Sequence, residues 1–252
     1  MDTSHQLLIR LNDIGQSLLA TGQTLALLGL GSVGTETDRL DQYSDLDFFA
    51  IVKPGSKSRF IDNLDWLETV HPLAYYFRNT VDGYKALFED GIFCEFGVFE
   101  PQELSAIPFA SGRIVWKADG FDETILSPQP RQYTEQSLEF HLGETLTNLH
   151  VGLGRVHRGE KLSGTRFIQQ YAVDHVIALA KHIETAQPIP EDIFNAERRF
   201  EVRYPDVASH LPEFVQGYDR NLESALAILA FLEQHFELNS AMRNSILGLC
   251  KS

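Results

Sequence analysis

Two aspartates one residue apart, Asp45 and Asp47, open a run of apolar residues, Leu46 to Val52, and a glycine-serine pair, Gly31-Ser32, stands upstream of them. Side chains two apart on a strand leave the same face, so both carboxylates project together and repel unless cations sit between them. Two hard oxygen ligands beside a phosphate-bearing substrate are what Mg²⁺ prefers. A glycine-rich turn after the short apolar run Leu25–Leu28 offers backbone N–H groups, and the Ser32 hydroxyl, to phosphate oxygens. The plainer alternative makes Asp45 a turn-capping residue and Asp47 a solvated charge at a strand end.

Gly29, Gly31 and Gly34 also spell G-x-G-x-x-G after a predicted strand. The dinucleotide-binding use of that pattern needs a crossover helix with an apolar stripe. Thr35 to Ser44 supplies only Leu40 and Tyr43 as large apolar side chains, too few to cover a sheet. A third carboxylate stands at Glu95, inside the aromatic-rich run Gly91–Phe99. With apolar neighbours on both sides it is expected to be buried, and a buried carboxylate is costly unless a metal or a proton transfer uses it. Burial among Phe93, Phe96 and Phe99 is further expected to raise its pKa towards that of a general base.

Gly31-Ser32, a polar spacer, and Asp45-Leu46-Asp47 on an apolar strand together resemble the signature of the DNA-polymerase-β-like nucleotidyltransferases. The longer string from Gly31 to Phe49 is most similar to the lincosamide and aminoglycoside nucleotidyltransferases. This resemblance implies transfer of a nucleoside monophosphate, AMP from ATP, to a hydroxyl of a small and cationic acceptor. It implies Asp45, Asp47 and Glu95 as carboxylates for one or two Mg²⁺ ions, with Glu95 open between metal ligand and general base. Gly31 and Ser32 would hold the terminal phosphates, with Lys53 and Lys161 as the assisting cations. An AMP-adding regulator of proteins and a non-catalytic nucleotide-binding module are the alternatives; a toxin-type pairing with a partner chain would need a substrate domain missing from the chain, whereas a helical half is present.

The formal net charge of −14 over 252 residues argues against general binding to nucleic acid, which needs a basic surface, and is compatible with cationic substrates. Without a leader-like or membrane-spanning apolar run, a cytoplasmic protein is expected. Cys94 and Cys250 suggest neither a disulfide framework nor a zinc spacing. His150 and His157, and likewise His175 and His182, lie about two helical turns apart, too far to share one metal.

The elements that must position these residues follow from periodicity. An amphipathic helix is predicted over Leu7–Ala20, strands at 25–28 and 46–52, and a helix from Ser58 to Val70. Short strands follow at 74–77, 84–88 and 92–98, with a hairpin turn at Asp90-Gly91 and an edge strand at Arg113–Lys117. After a linker at Ser127–Arg131, helices are predicted at 136–156, 167–183, 222–236 and 241–249. The fold class is therefore α+β: a mixed-sheet domain at 1–126 and an all-α helical bundle at 127–252, with a cleft between them to take two substrates. Arg155–Lys161 is a basic loop within reach of phosphates, and Arg198-Arg199 is a second basic pair; both also suit solvated helix ends. An exposed apolar face on Leu222–Phe236 would permit a homodimer.

Overall fold

The computed structural model describes residues 3–127, 135–192 and 195–251. The chain divides into two compact units, Met1–Tyr133 and Thr134–Ser252; positions 128–131 of the expected linker lie outside the described residues.

The first unit is built on a mixed six-stranded sheet of order β3-β4-β5-β2-β1-β6. Its strands are β1 (Thr24–Gly29), β2 (Leu46–Val52), β3 (Leu73–Arg78), β4 (Gly83–Phe88), β5 (Phe93–Phe99) and β6 (Arg113–Lys117). Only β2 and β5 pair parallel; the other neighbours are antiparallel. Because β1 and β2 run antiparallel and only short 3-10 turns lie between them, the glycine pattern after β1 cannot form a dinucleotide-binding crossover.

Strand alternation sorts the side chains onto two faces. On one face Leu27, Phe48, Ala50, Val52, Phe96 and Val98 are buried against α1 (Thr3–Ala20), α2 (Lys57–Asp62) and α3 (Asp65–Glu68). Helix α1 supplies Leu7, Leu11, Ile14 and Leu18, a helical stripe with all four side chains almost wholly buried. Phe48 stacks on Phe96 at 5.3 Å, and Trp66 meets both rings edge-on. The single helix predicted from Ser58 to Val70 is instead two, because Asn63 turns extended (φ −142°, ψ 121°) and its side-chain oxygen accepts from the Asp65 N–H. The local Asn turn outcompetes the helix.

On the opposite face Ala26, Leu28, Ile51 and Phe99 are covered by Leu104, Phe109 and Leu126 from the segment around β6. That cover reaches β2 from Phe49 onward. Asp47, two residues earlier on the same face, is only half-buried.

The second unit is helical: α4 (Leu138–His157), α5 (Lys161–Arg166), α6 (Ala172–Leu179), the short α7 (Phe200–Arg203), α8 (Pro205–Ala208) and α9 (Leu211–Phe214), then α10 (Asn221–His235) and α11 (Ser240–Leu249). A π-helical turn, Phe167–Tyr171, joins α5 to α6, so the helical path starts at Lys161 rather than at the predicted Phe167. Helix α10 turns Ala225, Ile228, Leu229, Phe231 and Leu232 into the unit's own core. This corrects the expectation of an exposed apolar dimerisation face there; of the large apolar side chains on α10, only Leu226 is substantially exposed.

One polar contact inside this bundle gives it a pH dependence. The Nδ1 atoms of His141 on α4 and His175 on α6 stand 3.0 Å apart, a distance at which one ring must donate and the other accept. Burial, then the neighbouring His175 and Lys181, lowers the His141 pKa; burial lowers that of His175, against the opposing charges of Glu144 and Asp174. The unfolded chain therefore binds more protons near neutrality, and stability is fully present above the unfolded histidine pKa of about 6.5 and is lost as pH falls. Asp174, raised by burial, acts in the opposite sense, in a more acidic window. Thermal melts between pH 7.5 and 5.5 are expected to show a falling midpoint, reflecting a loss of stability of at most about 1.4 kcal/mol per pH unit for each histidine. His141→Gln is expected to flatten that slope; an unchanged slope would remove the pair as its cause.

Candidate functional site

Register fixes the centre of the site. In the parallel pair β2–β5, Asp47 lies opposite Glu95, and in the antiparallel pair β4–β5, Glu95 lies opposite Lys85. Partners opposite one another leave the same face, so Asp47, Glu95 and Lys85 form one row across three neighbouring strands on the incompletely covered face. Asp45 immediately precedes β2.

The glycine-serine turn abuts this row from the other side. The Leu30 N–H donates to the Asp47 carbonyl at 2.8 Å, which brings the end of β1 against the start of β2. Gly31 follows with φ +52°, and a Cβ there would stand 3.5 Å from Asp47 Oδ2 and 3.2 Å from Arg39 Nη2. Left-handed backbone and this close approach both favour glycine. The turn thus brings a carboxylate and a guanidinium to one point, and the same guanidinium is paired with Glu36. Ser32 keeps only 5 % of its surface exposed, so the turn presents Gly31 more than the serine side chain.

Glu95 is not the buried carboxylate expected from its neighbours. Its side chain is 42 % exposed, because alternation sends Cys94, Phe96 and Val98 to the buried face and leaves Phe93 and Gly97 beside it. Each of its oxygens has a donor: Asn79 Nδ2 at 2.9 Å on Oε1 and Lys85 Nζ at 3.0 Å on Oε2. The hydrogen-bonded Glu95 carboxylate raises the Lys85 ammonium above its ordinary range, and the charges of Asp47 and Asp45 add to that shift. Burial pushes the nearby Cys94 thiol up to about 12, helped by Asp47, so it stays an uncharged thiol on the core side of the sheet.

Among the described residues no three His, Cys, Asp or Glu side chains are arranged to hold a metal ion. The half-buried Asp47 beside the Gly31 turn suits Mg²⁺ delivered with a triphosphate, which needs only one or two carboxylates and takes its remaining oxygens from phosphate and water.

Of the two lysines expected to assist, Lys53 stands away from the turn. Lys53 follows the far end of β2, about 20 Å along the strand from Asp47 at 3.3 Å per residue, and its ammonium donates to the Gly22 carbonyl. A phosphate held at the Gly31 turn is out of its reach, which corrects that expectation. Lys161 lies in the second unit, where it pairs with Asp219 and sits 4.6 Å from the Tyr218 ring centroid. The rest of the basic loop is likewise engaged: Arg155 lies 4.1 Å over the Phe167 ring and bonds Ser163, and Arg158 pairs with Glu160. Arg198 pairs with Asp192 at 3.0 Å.

Lys85, Asn79 and Arg39 are the site residues that motif reading missed. For Lys85 the signal was present: a hairpin turning at Asp90-Gly91 sets positions equidistant from residue 90, here 85 and 95, opposite one another.

No family model matches the sequence, and no curated protein matches it. Among solved structures, the chain is similar to an aminoglycoside 6-adenyltransferase from Bacillus subtilis at 14% identity, over 96% of this chain and 90% of that one, with a TM-score of 0.36. It is also similar to a STING-associated CdnE c-di-GMP synthase from Capnocytophaga granulosa at 11% identity, over 100% of this chain and 80% of that one, with a TM-score of 0.29. The first carries the name of the enzyme class that the Gly31-Ser32 and Asp45-Leu46-Asp47 pattern resembles. At these TM-scores neither likeness bears the functional argument, which rests on the carboxylates and their partners. No helix among the described residues is long and apolar enough to cross a membrane.

Proposed function

We propose that the chain is a Mg²⁺-dependent nucleotidyltransferase that moves a nucleoside monophosphate, AMP from ATP, to a hydroxyl of a small molecule of the lincosamide or aminoglycoside kind. The observation that carries this reading is the placement of Gly31 against the Asp47 carboxylate with Glu95 in register on the next strand. With Gly31 as the phosphate-binding turn, Asp47 as the metal-binding carboxylate and Glu95 as the proton acceptor, this order along the sheet suits a nucleotidyl transfer.

In this reading Asp45 and Asp47 hold the Mg²⁺ that accompanies the triphosphate, and the Gly31 backbone with Ser32 contacts its terminal phosphates. When bound, Mg²⁺ supplies charge neutralisation for the departing pyrophosphate. The acceptor oxygen forms a bond to the α-phosphorus, the bond from that phosphorus to the pyrophosphate oxygen breaks, and the hydroxyl proton passes to Glu95. With both oxygens already engaged by Asn79 and Lys85, Glu95 is held in one orientation, ready to receive a hydroxyl on its remaining lone pairs. Lys85 is a positioning residue: it fixes Glu95.

Lys85→Gln is therefore expected to slow transfer by about tenfold, the scale of a lost orienting contact, while leaving acceptor KM nearly unchanged. Since both partners are more than a third exposed, the melting midpoint should move by only a few degrees. A variant with wild-type kcat would show that the pair is structural. The reading as a whole is tested by pyrophosphate release from Mg·ATP across lincosamides, aminoglycosides and simple polyols, with Asp45→Ala and Asp47→Ala as controls. Release that needs an acceptor and vanishes in both controls supports it; ATP binding without release from any small acceptor turns the reading towards a protein acceptor or a nucleotide sensor.

A further inference from the structure

The sheet continues past Glu95 and Lys85 to its edge, where β3 carries large aromatic side chains that the protein leaves uncovered. Phe77 lies opposite Lys85 and extends the row Asp47–Glu95–Lys85 by one strand, while Tyr75 lies opposite Leu87 on the same face. Tyr75 is 56 % and Phe77 43 % exposed, and their rings lie 6.0 Å apart at a tilt of 50°. Tyr76, on the other face of the same strand, is 50 % exposed and sits beside Tyr84. An edge strand with aromatic side chains in the open presents contact surface that ordinary sheets keep covered or charged.

Direction decides what that surface faces. Nucleotidyl transfer proceeds with the attacking and leaving oxygens roughly in line through the α-phosphorus. Terminal phosphates at the Gly31 turn put the leaving pyrophosphate on the β1 side of Asp47, so the acceptor arrives from the other side, across β5, β4 and β3. Two strand spacings separate Glu95 from Phe77, about 10 Å, more than one sugar ring spans.

Resting on the transfer reading above, we propose that Tyr75 and Phe77 are the specificity-determining platform for the acceptor, and that the acceptor is a hydroxylated compound of two or more rings. Its reacting hydroxyl lies at Glu95 and the apolar face of a distal ring packs on the two aromatic side chains. A single-ring polyol held at Glu95 cannot reach them.

The test compares kcat/KM for pyrophosphate release with kanamycin, lincomycin and glucosamine in the wild type and in Phe77→Thr, Tyr75→Thr and Tyr76→Thr. Threonine keeps β-strand propensity at each position, and Tyr76→Thr alters the same strand on the opposite face. The wild type is expected to favour at least one multi-ring compound over glucosamine by tenfold or more. Phe77→Thr and Tyr75→Thr should each raise its KM several-fold, with the KM for ATP unchanged and the preference over glucosamine reduced, and Tyr76→Thr should match the wild type. Unchanged acceptor KM in both variants, a rise in the KM for ATP instead, equal losses in Tyr76→Thr, or a shift in oligomeric state by light scattering showing that β3 pairs two copies would each overturn the proposal while leaving the transfer reading standing. No release by the wild type with any of the three compounds, or with the wider acceptor panel, overturns the transfer reading and this proposal with it.

Discussion

Replacing Asp47 by asparagine is expected to reduce nucleotidyl transfer by a factor of a thousand or more, on the order of 4 kcal/mol of lost transition-state stabilisation. The amide keeps the size and the hydrogen-bonding shape of the side chain but has no charge with which to hold Mg²⁺ against the triphosphate. The position is only half-buried, and a change at such a site ordinarily moves stability by less than about 1 kcal/mol, so the melting midpoint should stay within a few degrees of the wild type. Raising Mg²⁺ should not restore the rate. The check is a pair of measurements on one preparation, a thermal melt and a steady-state rate at two Mg²⁺ concentrations. An Asp47→Asn protein with wild-type turnover would remove Asp47 from the reaction, and a large loss of midpoint would make the rate uninformative about chemistry.

Gly83→Val should produce the largest loss of stability. Gly83 begins β4 opposite Gly97, and a Cβ at Gly83 would stand 2.1 Å from the Phe96 carbonyl oxygen and 3.1 Å from its carbonyl carbon. Those are main-chain atoms of the neighbouring strand and cannot swing aside as a side chain would. The strands must separate or slip, which costs about 3 kcal/mol or more, by the usual scale for overpacking against an unyielding neighbour. At roughly 3 °C per kcal/mol for a domain of this size, the midpoint should fall by about 10 °C. The same strands carry Lys85 and Glu95, so activity measured well below that midpoint should fall too. A Gly83→Val protein melting within 2 °C of the wild type would show that the strands yield at this point.

The strands, and the turn between β1 and β2, were legible because each depends on local chemistry: continuous apolar runs, a glycine at the sharp turn, and Asp90-Gly91 at the hairpin. Asp45, Asp47 and Glu95 were legible as candidates for the same reason, since charges in apolar strands stand out. What the local pattern could not supply was the environment of Glu95. Counting apolar neighbours along the chain predicted burial, but strand alternation assigns Cys94, Phe96 and Val98 to the other face, and the partners that matter, Asn79 and Lys85, come from positions 16 and 10 residues away across the hairpin. Lys53 failed for a simpler reason: proximity to Asp47 in sequence becomes distance when the residues between them form an extended strand. Asn63 interrupted a helix through its own side chain, a competition that the spacing of Phe60, Leu64 and Leu67 does not reveal. The pairing of His141 with His175 joins residues 34 positions apart on two different helices, beyond what periodicity within either helix can show.

The central claim is that the bond broken lies at the α-phosphorus, and labelled ATP reads this directly. With ATP carrying ³²P at the α-position, Mg²⁺ and an acceptor that supports pyrophosphate release, the account predicts that the label moves onto the acceptor with one pyrophosphate formed per transfer, and that neither product appears with Asp47→Asn. Formation of ADP with the label retained in the nucleotide would mean phosphoryl rather than nucleotidyl transfer, and would contradict the roles assigned here to Gly31, Asp47 and Glu95.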